Sequence, residues 1–585
     1  MTGRCEYDKS PHVAAGGADA CSVGWGDILA RLSGAIAPGR FVLCVECYPG
    51  AFVSEIAAAI ADRLRPTVRI CTDECFKPAA EIQRMLAPYL TEDRVFGKTS
   101  GIGIFDFFDP VRLNKARRTI RAAGEGLIVV IGTGATLVAQ TWDCLAYANM
   151  ARWEIQQRQR RHEIGNLGCT TAHETAAAMY KRGFLVDWRA ADRLKRGLYE
   201  RIDFLLDTND PRTPKMISGA DFRRGLDTAV RRPFRVVPFF DPGPWGGQWM
   251  RRNLGLPEGP PNYAWGFDCV PEENSLLLSF GGTCIETPAI DLVLRCPREL
   301  LGEYVFSRFG AEFPIRFDFL DTIEGGNLSL QVHPLVPFIR RHFGMAYTQD
   351  ESYYLMECGD DARVFLGLKE GVDPRAFAAD LRLAQSDGPP FPVERYVNAW
   401  PAHKHDHFLI PAGVVHCSGR NCAVLEISAT PYIFTFKLWD WGRLGLDGEP
   451  RPIHLSHGLE NIQWDRTTRW VERELINCVK LISERECWRE ERTGLHESQF
   501  IETRRHWFTG PVLHDTYDTV NVLNLVQGQC ALVESPLGAF DPLVVHYAET
   551  FIVPASVGPY VVRPVLHYRE PCATVKAYVR KKQGR

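Results

Sequence analysis

The sequence predicts a multidomain chain: a doubly wound α/β domain, then a β-sandwich domain, then a smaller second sandwich module. Three observations point there. Buried-strand runs alternate with helical periodicity through the first part of the chain. From residue 234 onward, short β-type runs alternate with Gly, Pro, Asn and Asp. Near the C-terminal end part of that β pattern recurs.

Residues 1–38 start Gly/Ala/Ser-rich and then turn helical over Trp25–Ala35. They read as a flexible extension with a lead-in helix. FVLCVECYPG (41–50) is a nearly continuous apolar run closed by Pro-Gly, as a buried parallel strand should be. VSEIAAAIADRL (53–64) sets Ile56, Ile60 and Leu64 on one helical face, with Ser54 expected as N-cap. TVRICTDE (67–74) reads as a second strand, RLNKARRTIRAAG (112–124) as a basic helix closed by Gly124, and LIVVIG (127–132) as a third strand. This βαβ rhythm defines an α/β domain over 39–230. A basic segment, ARWEIQQRQRRHEIGNLG (151–168), and a Pro/Arg-rich junction complete it.

Residues 231–490 form the predicted sandwich. Its strands are NSLLLSF (274–280), IRFDFLD (315–321), NLSLQVH (327–333), SYYLME (352–357), DHFLIPAG (406–413), AVLEIS (423–428) and YIFTFKLWD (432–440). A helix, PRAFAADLRLAQ (374–385), interrupts them. Residues 491–585 form the second module, where YAETFIVPASVGP (547–559) aligns with HDHFLIPAGVVH (405–416).

The chain has 585 residues, with Lys+Arg 68 against Asp+Glu 71 and a net charge of -3. That balance argues against a nucleic-acid partner. No apolar run reaches the ~20 residues of a membrane helix, and the N-terminus lacks a signal-peptide core. A cytoplasmic location with reduced thiols is therefore expected. Cys44-x-x-Cys47 and Cys71-x-x-x-Cys75 fall on or just after neighbouring strands. Burial as small hydrophobes suits Cys44 better than thiolate zinc.

The chemistry centres on NLSLQVHP. Gln331 and His333 are two apart in an alternating strand, so they share one face with Ser329. Glu351 opens the next strand. His416 follows the tight Pro411–Gly413 turn. Each histidine alone is an ordinary core or surface residue. Together, two imidazoles, a carboxylate and a carboxamide form a set of N and O donors. Such a set suits zinc, manganese, iron, cobalt or nickel.

In this order NLSLQVHP, the Glu351 strand, DHFLIPAGVVH and AVLEIS resemble the class I, cupin-type mannose-6-phosphate isomerases over roughly residues 234–460. The resemblance implies a jelly-roll domain holding one divalent metal ion, zinc first, on Gln331, His333, Glu351 and His416. It implies interconversion of mannose 6-phosphate and fructose 6-phosphate. Two positions depart from the family pattern. Lys437 stands where the family usually has Arg, and Gln349 where it often has Lys. Lys437 is the expected catalytic or phosphate-positioning cation, with Arg443 and Lys404 as further phosphate partners. The second module carries no Gln-x-His pair and has Pro559 near the His416 position, so it is expected to be metal-free.

ECYPGAFVSEIAAAI resembles the phosphate loop of uridine-kinase-type P-loop proteins in degenerate form. Ser54 holds the Ser/Thr position, but Val53 replaces the Lys and Phe52 the last Gly. The following Arg152, Arg158, Arg160 and Arg161 resemble a kinase lid. The leading expectation is thus a metal-dependent hexose-phosphate isomerase. A non-catalytic sugar or sugar-phosphate sensor and a nucleoside or sugar kinase with a regulatory cupin are the rivals.

Overall fold

The computed structural model describes residues 7–169, 171, 173–386, 388–429, 432–565 and 571–581. The chain divides into two units. One holds the chain up to Pro11, Val230–Glu272 and everything from Pro297 onward; the other holds His12–Ala229 and Glu273–Cys296.

In the second of these, the apolar run Arg40–Cys47 is an interior strand of a seven-stranded sheet. Gly126–Gly132 and Cys144–Asn149 flank it in parallel, with Val68–Cys71 and Phe204–Asp207 outside them. The strand order therefore reverses on either side of Arg40–Cys47, the switch point of a doubly wound sheet. Both faces are covered, which is why these strands read as unbroken apolar runs. Val45, Val129 and Ile131 pack with Ile56 and Ile60 of the helix Val53–Leu64. That helix is capped at Phe52 without a side-chain bond, so Ser54 sits in its first turn and is not the N-cap. At the end of the third strand Gly134 takes φ 83°. Its N–H donates to the buried Glu46 carboxylate at 2.5 Å, and the Thr136 N–H and hydroxyl donate at 2.9 and 2.8 Å.

The basic segment forms the helix Arg152–Arg160, and its arginines are engaged by neighbouring groups, Arg160 lying over the Trp153 ring. Arg152 pairs with Asp192. Arg158 is fully buried and donates to Gly50 O at 2.8 Å, to Thr208 O at 2.8 Å and to Glu154. Its guanidinium also lies 4.0 Å from the Phe52 ring centre. A cation thus sits against the loop that follows the first parallel strand. Arg161 pairs with Glu154 and Glu163. The lid expectation is corrected accordingly: these guanidiniums tie the helix down.

The N-terminal extension also needs correction. Its first six residues lie outside those described. Tyr7 is buried and donates to Asp268 at 2.5 Å. His12–Gly16 is a strand parallel to Ser275–Phe280, with Val13 and Ala15 turned inward at the strand period. The expected helix forms over Gly24–Ala35. The hairpin Ser275–Phe280/Thr283–Pro288 belongs to this unit, so the boundary expected at 230/231 is crossed a second time.

The other unit contains two antiparallel sandwiches. In the first, a six-stranded sheet has the order His407–Ile410, Asp350–Cys358, Cys422–Ala429, Arg316–Asp321, Trp265–Cys269, Phe239–Asp241. Its five-stranded partner runs Val397–Pro401, Arg363–Leu368, His416–Ser418, Leu330–Val332, Phe436–Trp439. The helix Pro374–Gln385 starts where expected, because the Asp373 side chain accepts from two first-turn N–H groups.

The second sandwich repeats this plan. Thr550–Val553, Asn521–Gln527, Cys572–Val579 and Ile501–Phe508 lie in the same order as the first four strands above. Trp488–Gly494 and Lys480–Arg485 extend that sheet, so the module starts near residue 480 and not at 491. Register shows what the repeat lost. Glu351 pairs with Ile410 in the first sandwich, and Asn521 pairs with Val553 in the second. Gln331 pairs with His416, and Asp515 with Pro559. Asn521, Asp515 and Pro559 therefore stand at the Glu351, Gln331 and His416 positions.

Candidate metal centre

Gln331 and His416 face each other across neighbouring strands, and Lys437 is the partner of Gln331 on its other side. Cross-strand partners share a face, so His416, Gln331 and Lys437 form one row. His333 follows two residues after Gln331 on that face. The opposing sheet contributes Glu351. Its own register sets Glu426, Tyr353 and Asp318 in one row on the Glu351 face. The two inner faces bring four of the five predicted residues together.

Their contacts are short. Glu351 Oε2 lies 3.1 Å from His333 Nε2 and Oε1 lies 2.9 Å from His416 Nε2. The Gln331 amide is 3.2 Å from His416 Nε2. His333, Glu351 and His416 can each present a ligand atom within 4.8 Å of the others, and all three are buried. Each imidazole donates its Nδ1 proton to a backbone carbonyl, His333 to Phe434 O and His416 to Val414 O, both at 2.8 Å. Those bonds fix the tautomer, so both Nε2 atoms turn a lone pair inward. They meet a carboxylate, which is also an acceptor. His333 Nε2 and Glu351 Oε1 have no hydrogen-bond partner. Buried acceptors aimed at one point call for a cation between them. The donor set thus fits a divalent metal.

The electrostatics show how strongly these three groups are coupled. Burial opposes charge on Glu351, yet His333 and His416 outweigh it and hold its carboxyl well below the usual range. Burial likewise opposes charge on His333, but Glu351 keeps its pKa raised. Burial lowers His416, with Glu351 only partly offsetting. Gln349 donates to Glu351 Oε2 at 3.0 Å and accepts from Phe434 N–H at 3.0 Å. One amide therefore braces two of the donors.

Sequence reasoning missed Glu426 and Arg451. Burial, then Glu351 and Asp318, push the Glu426 carboxyl well above its ordinary value. Its signal was the E of AVLEIS, placed by register. Arg451 bonds Asp440 at 3.0 Å beside Lys437. Desolvation first, then Arg451, lower the Lys437 ammonium to about 7. Arg443 is bound to Asp440 and to Asn327 O, each at 2.5 Å. Lys404 pairs with Glu357 at 3.3 Å and is not among the groups brought to the centre. Cys44, Cys47 and Cys75 are buried, and burial raises their thiols. They join no metal-binding group among the described residues.

Two histidines away from the centre set an acid limit. Burial, then Arg505, lowers His407 to about 3, and burial lowers His506 to about 4. Both values lie below the unfolded ~6.5. As pH falls the unfolded chain takes up these protons first. Stability is complete above pH ~6.5 and is lost toward the folded values. Between them each group costs about 1.4 kcal/mol per pH unit. Thermal midpoints measured from pH 7 to 4 should fall steeply, and His407→Leu should flatten the slope by one proton.

A family model described as a domain of unknown function (DUF8485) matches residues 24–231. The chain is also similar to proteins named as mannose-6-phosphate isomerases. A protein named as the probable mannose-6-phosphate isomerase GmuF of Bacillus subtilis (strain 168) is 24% identical over 235 residues, 40% of this chain and 69% of the relative. The mannose-6-phosphate isomerase ManA of the same organism is 27% identical over 154 residues, 26% of this chain and 45% of the relative. The crystal structure of the mannose 6-phosphate isomerase from Bacillus subtilis aligns with a TM-score of 0.49 at 15% identity, covering 60% of this chain and all of that one. Among the described residues no helix is long and apolar enough to cross a membrane.

Proposed function

We propose that the first sandwich is a metal-dependent aldose–ketose isomerase of the cupin type, converting mannose 6-phosphate to fructose 6-phosphate. The observation that carries this reading is the inward aim of the His333, His416 and Glu351 acceptors, with Lys437 in the same row. Similarity to proteins named mannose-6-phosphate isomerase supports the choice of substrate.

His333 and His416 through Nε2, Glu351 through its carboxylate and Gln331 through its amide oxygen would hold the ion, zinc first. The bound ion would supply Lewis acidity toward the sugar's C1 and C2 oxygens. Lys437 places a cation where oxyanion charge develops or the phosphate sits. Gln349 orients Glu351. Arg451 and Arg443, both anchored on Asp440, keep the surroundings of Lys437 positive and suited to a phosphate.

Gln349 gives a specific reason to keep a second reading, a sugar-phosphate sensor, because an amide there supplies no positive charge. The N-terminal unit gives less support to phosphoryl transfer: Val53 replaces the loop lysine, and the Arg158 guanidinium lies against the loop.

The test strips the full chain with chelator, restores zinc, manganese or cobalt, and follows fructose 6-phosphate formation. Metal-dependent turnover is expected. Stoichiometric metal without turnover on any phosphorylated hexose would favour the sensor, and no metal uptake would overturn both readings.

A further inference from the structure

The N-terminal unit contains a cavity of about 520 Å³ that the isomerase reading does not use. It opens beside the helix Ala135–Ala139 and the helix Trp188–Arg196. Three arginines line it, Arg117, Arg193 and Arg201, and no acidic residue does. Among the described residues, none of the three has an ion-pair partner. That sets them apart from Arg152, Arg158, Arg161 and Arg182 of the same unit, each paired with a carboxylate.

Each guanidinium is held in place without being used up. Arg117 donates one N–H to Leu137 O at 2.8 Å, while its Nε is buried with no partner. Arg193 donates to Ile102 O. Arg201 lies 3.9 Å from the Trp142 ring centre. A guanidinium has five N–H donors, so most donors on each remain available. Three cations line one concavity, Asp192 and Asp106 offset the burial of Arg193 and the charge of Arg189 beside it only in part, and an anion carrying about two negative charges complements such a lining. Guanidinium forks match phosphate oxygens in pairs. The walls add aromatic surface, Trp142 and the half-exposed Phe105 (54%), with leucines between them. Such surface accepts a flat ring by stacking. The volume falls in the small-molecule range of roughly 300–1,000 Å³.

We propose that this cavity binds a nucleoside phosphate: the phosphate on Arg117, Arg193 and Arg201, the base against Trp142 and Phe105. The site is separate from the loop after the first strand.

The test is calorimetric titration of the full chain with three probes: inorganic phosphate, a hexose phosphate, and the adenosine mono-, di- and triphosphates. Tryptophan emission of the parent and of Trp142→Leu is compared in parallel. An adenosine phosphate should bind at one per chain, more tightly than inorganic phosphate, with affinity falling as salt rises. Arg193 and Arg201 are exposed, so R193Q/R201Q should fold with an unchanged thermal midpoint and bind at least tenfold more weakly. Trp142→Leu should remove the preference for the nucleoside over inorganic phosphate. The proposal is overturned if no adenosine phosphate binds. It is equally overturned if the double variant binds like the parent, or if the hexose phosphate is preferred and R193Q/R201Q abolishes that binding.

Discussion

Glu351→Ala should leave the full chain folded but unable to retain a divalent metal, with isomerisation reduced by roughly 10³-fold or more. The carboxylate bridges both imidazoles, at 3.1 Å from His333 and 2.9 Å from His416. Without it two neutral nitrogens and an amide oxygen remain, a set with no anionic donor to offset the charge of a divalent ion. Elemental analysis after dialysis reads metal per chain, and a coupled assay reads turnover. Gln349→Ala, which only releases the brace on Glu351, should cost roughly 10–100-fold in metal affinity or activity. Stoichiometric metal in Glu351→Ala would show that the centre is built from other residues.

Lys437→Met should give the converse pattern. Metal content should stay at that of the parent, while kcat/KM falls by roughly 10²–10³-fold, the usual cost of losing one charged stabiliser. The partition of that loss assigns the role. A fall in kcat points to oxyanion stabilisation, and a rise in KM alone points to holding the phosphate in substrate and transition state alike. Lys437→Arg should recover the second role better than the first, because a guanidinium suits phosphate oxygens. Unchanged kinetics in Lys437→Met would remove this residue from the site.

Much of this arrangement was legible in the sequence because it rests on short-range rules. Period-two alternation in NLSLQVHP placed Gln331 and His333 on one face, although only Leu330–Val332 of the expected 327–333 pairs as strand and His333 follows just after it. The apolar runs around residues 41 and 127 are buried parallel strands, and the helix Pro374–Gln385 starts at its Asp373 cap. What stayed hidden depends on long-range pairing. Glu426 enters the Glu351 face only through the register of Cys422–Ala429 with Asp350–Cys358. Arg451 reaches Asp440 from a loop. Tyr7 and the strand His12–Gly16 find partners about 260 residues away, which no local pattern encodes. Composition made those residues look loose, yet tertiary contacts order them. The arginine-rich helix misled for the same reason: a basic run shows charge, not the carboxylates and carbonyls waiting for it.

The matching strand order of the two sandwiches has a historical meaning. Backbone pairing tolerates wide change in side chains, so a strand plan outlasts the residues that first occupied it. Asn521, Asp515 and Pro559 now stand where the other half has Glu351, Gln331 and His416. Duplication of one half followed by divergence of its side chains would leave this pattern. In the second sandwich the strand plan persists while the residues at these three positions differ.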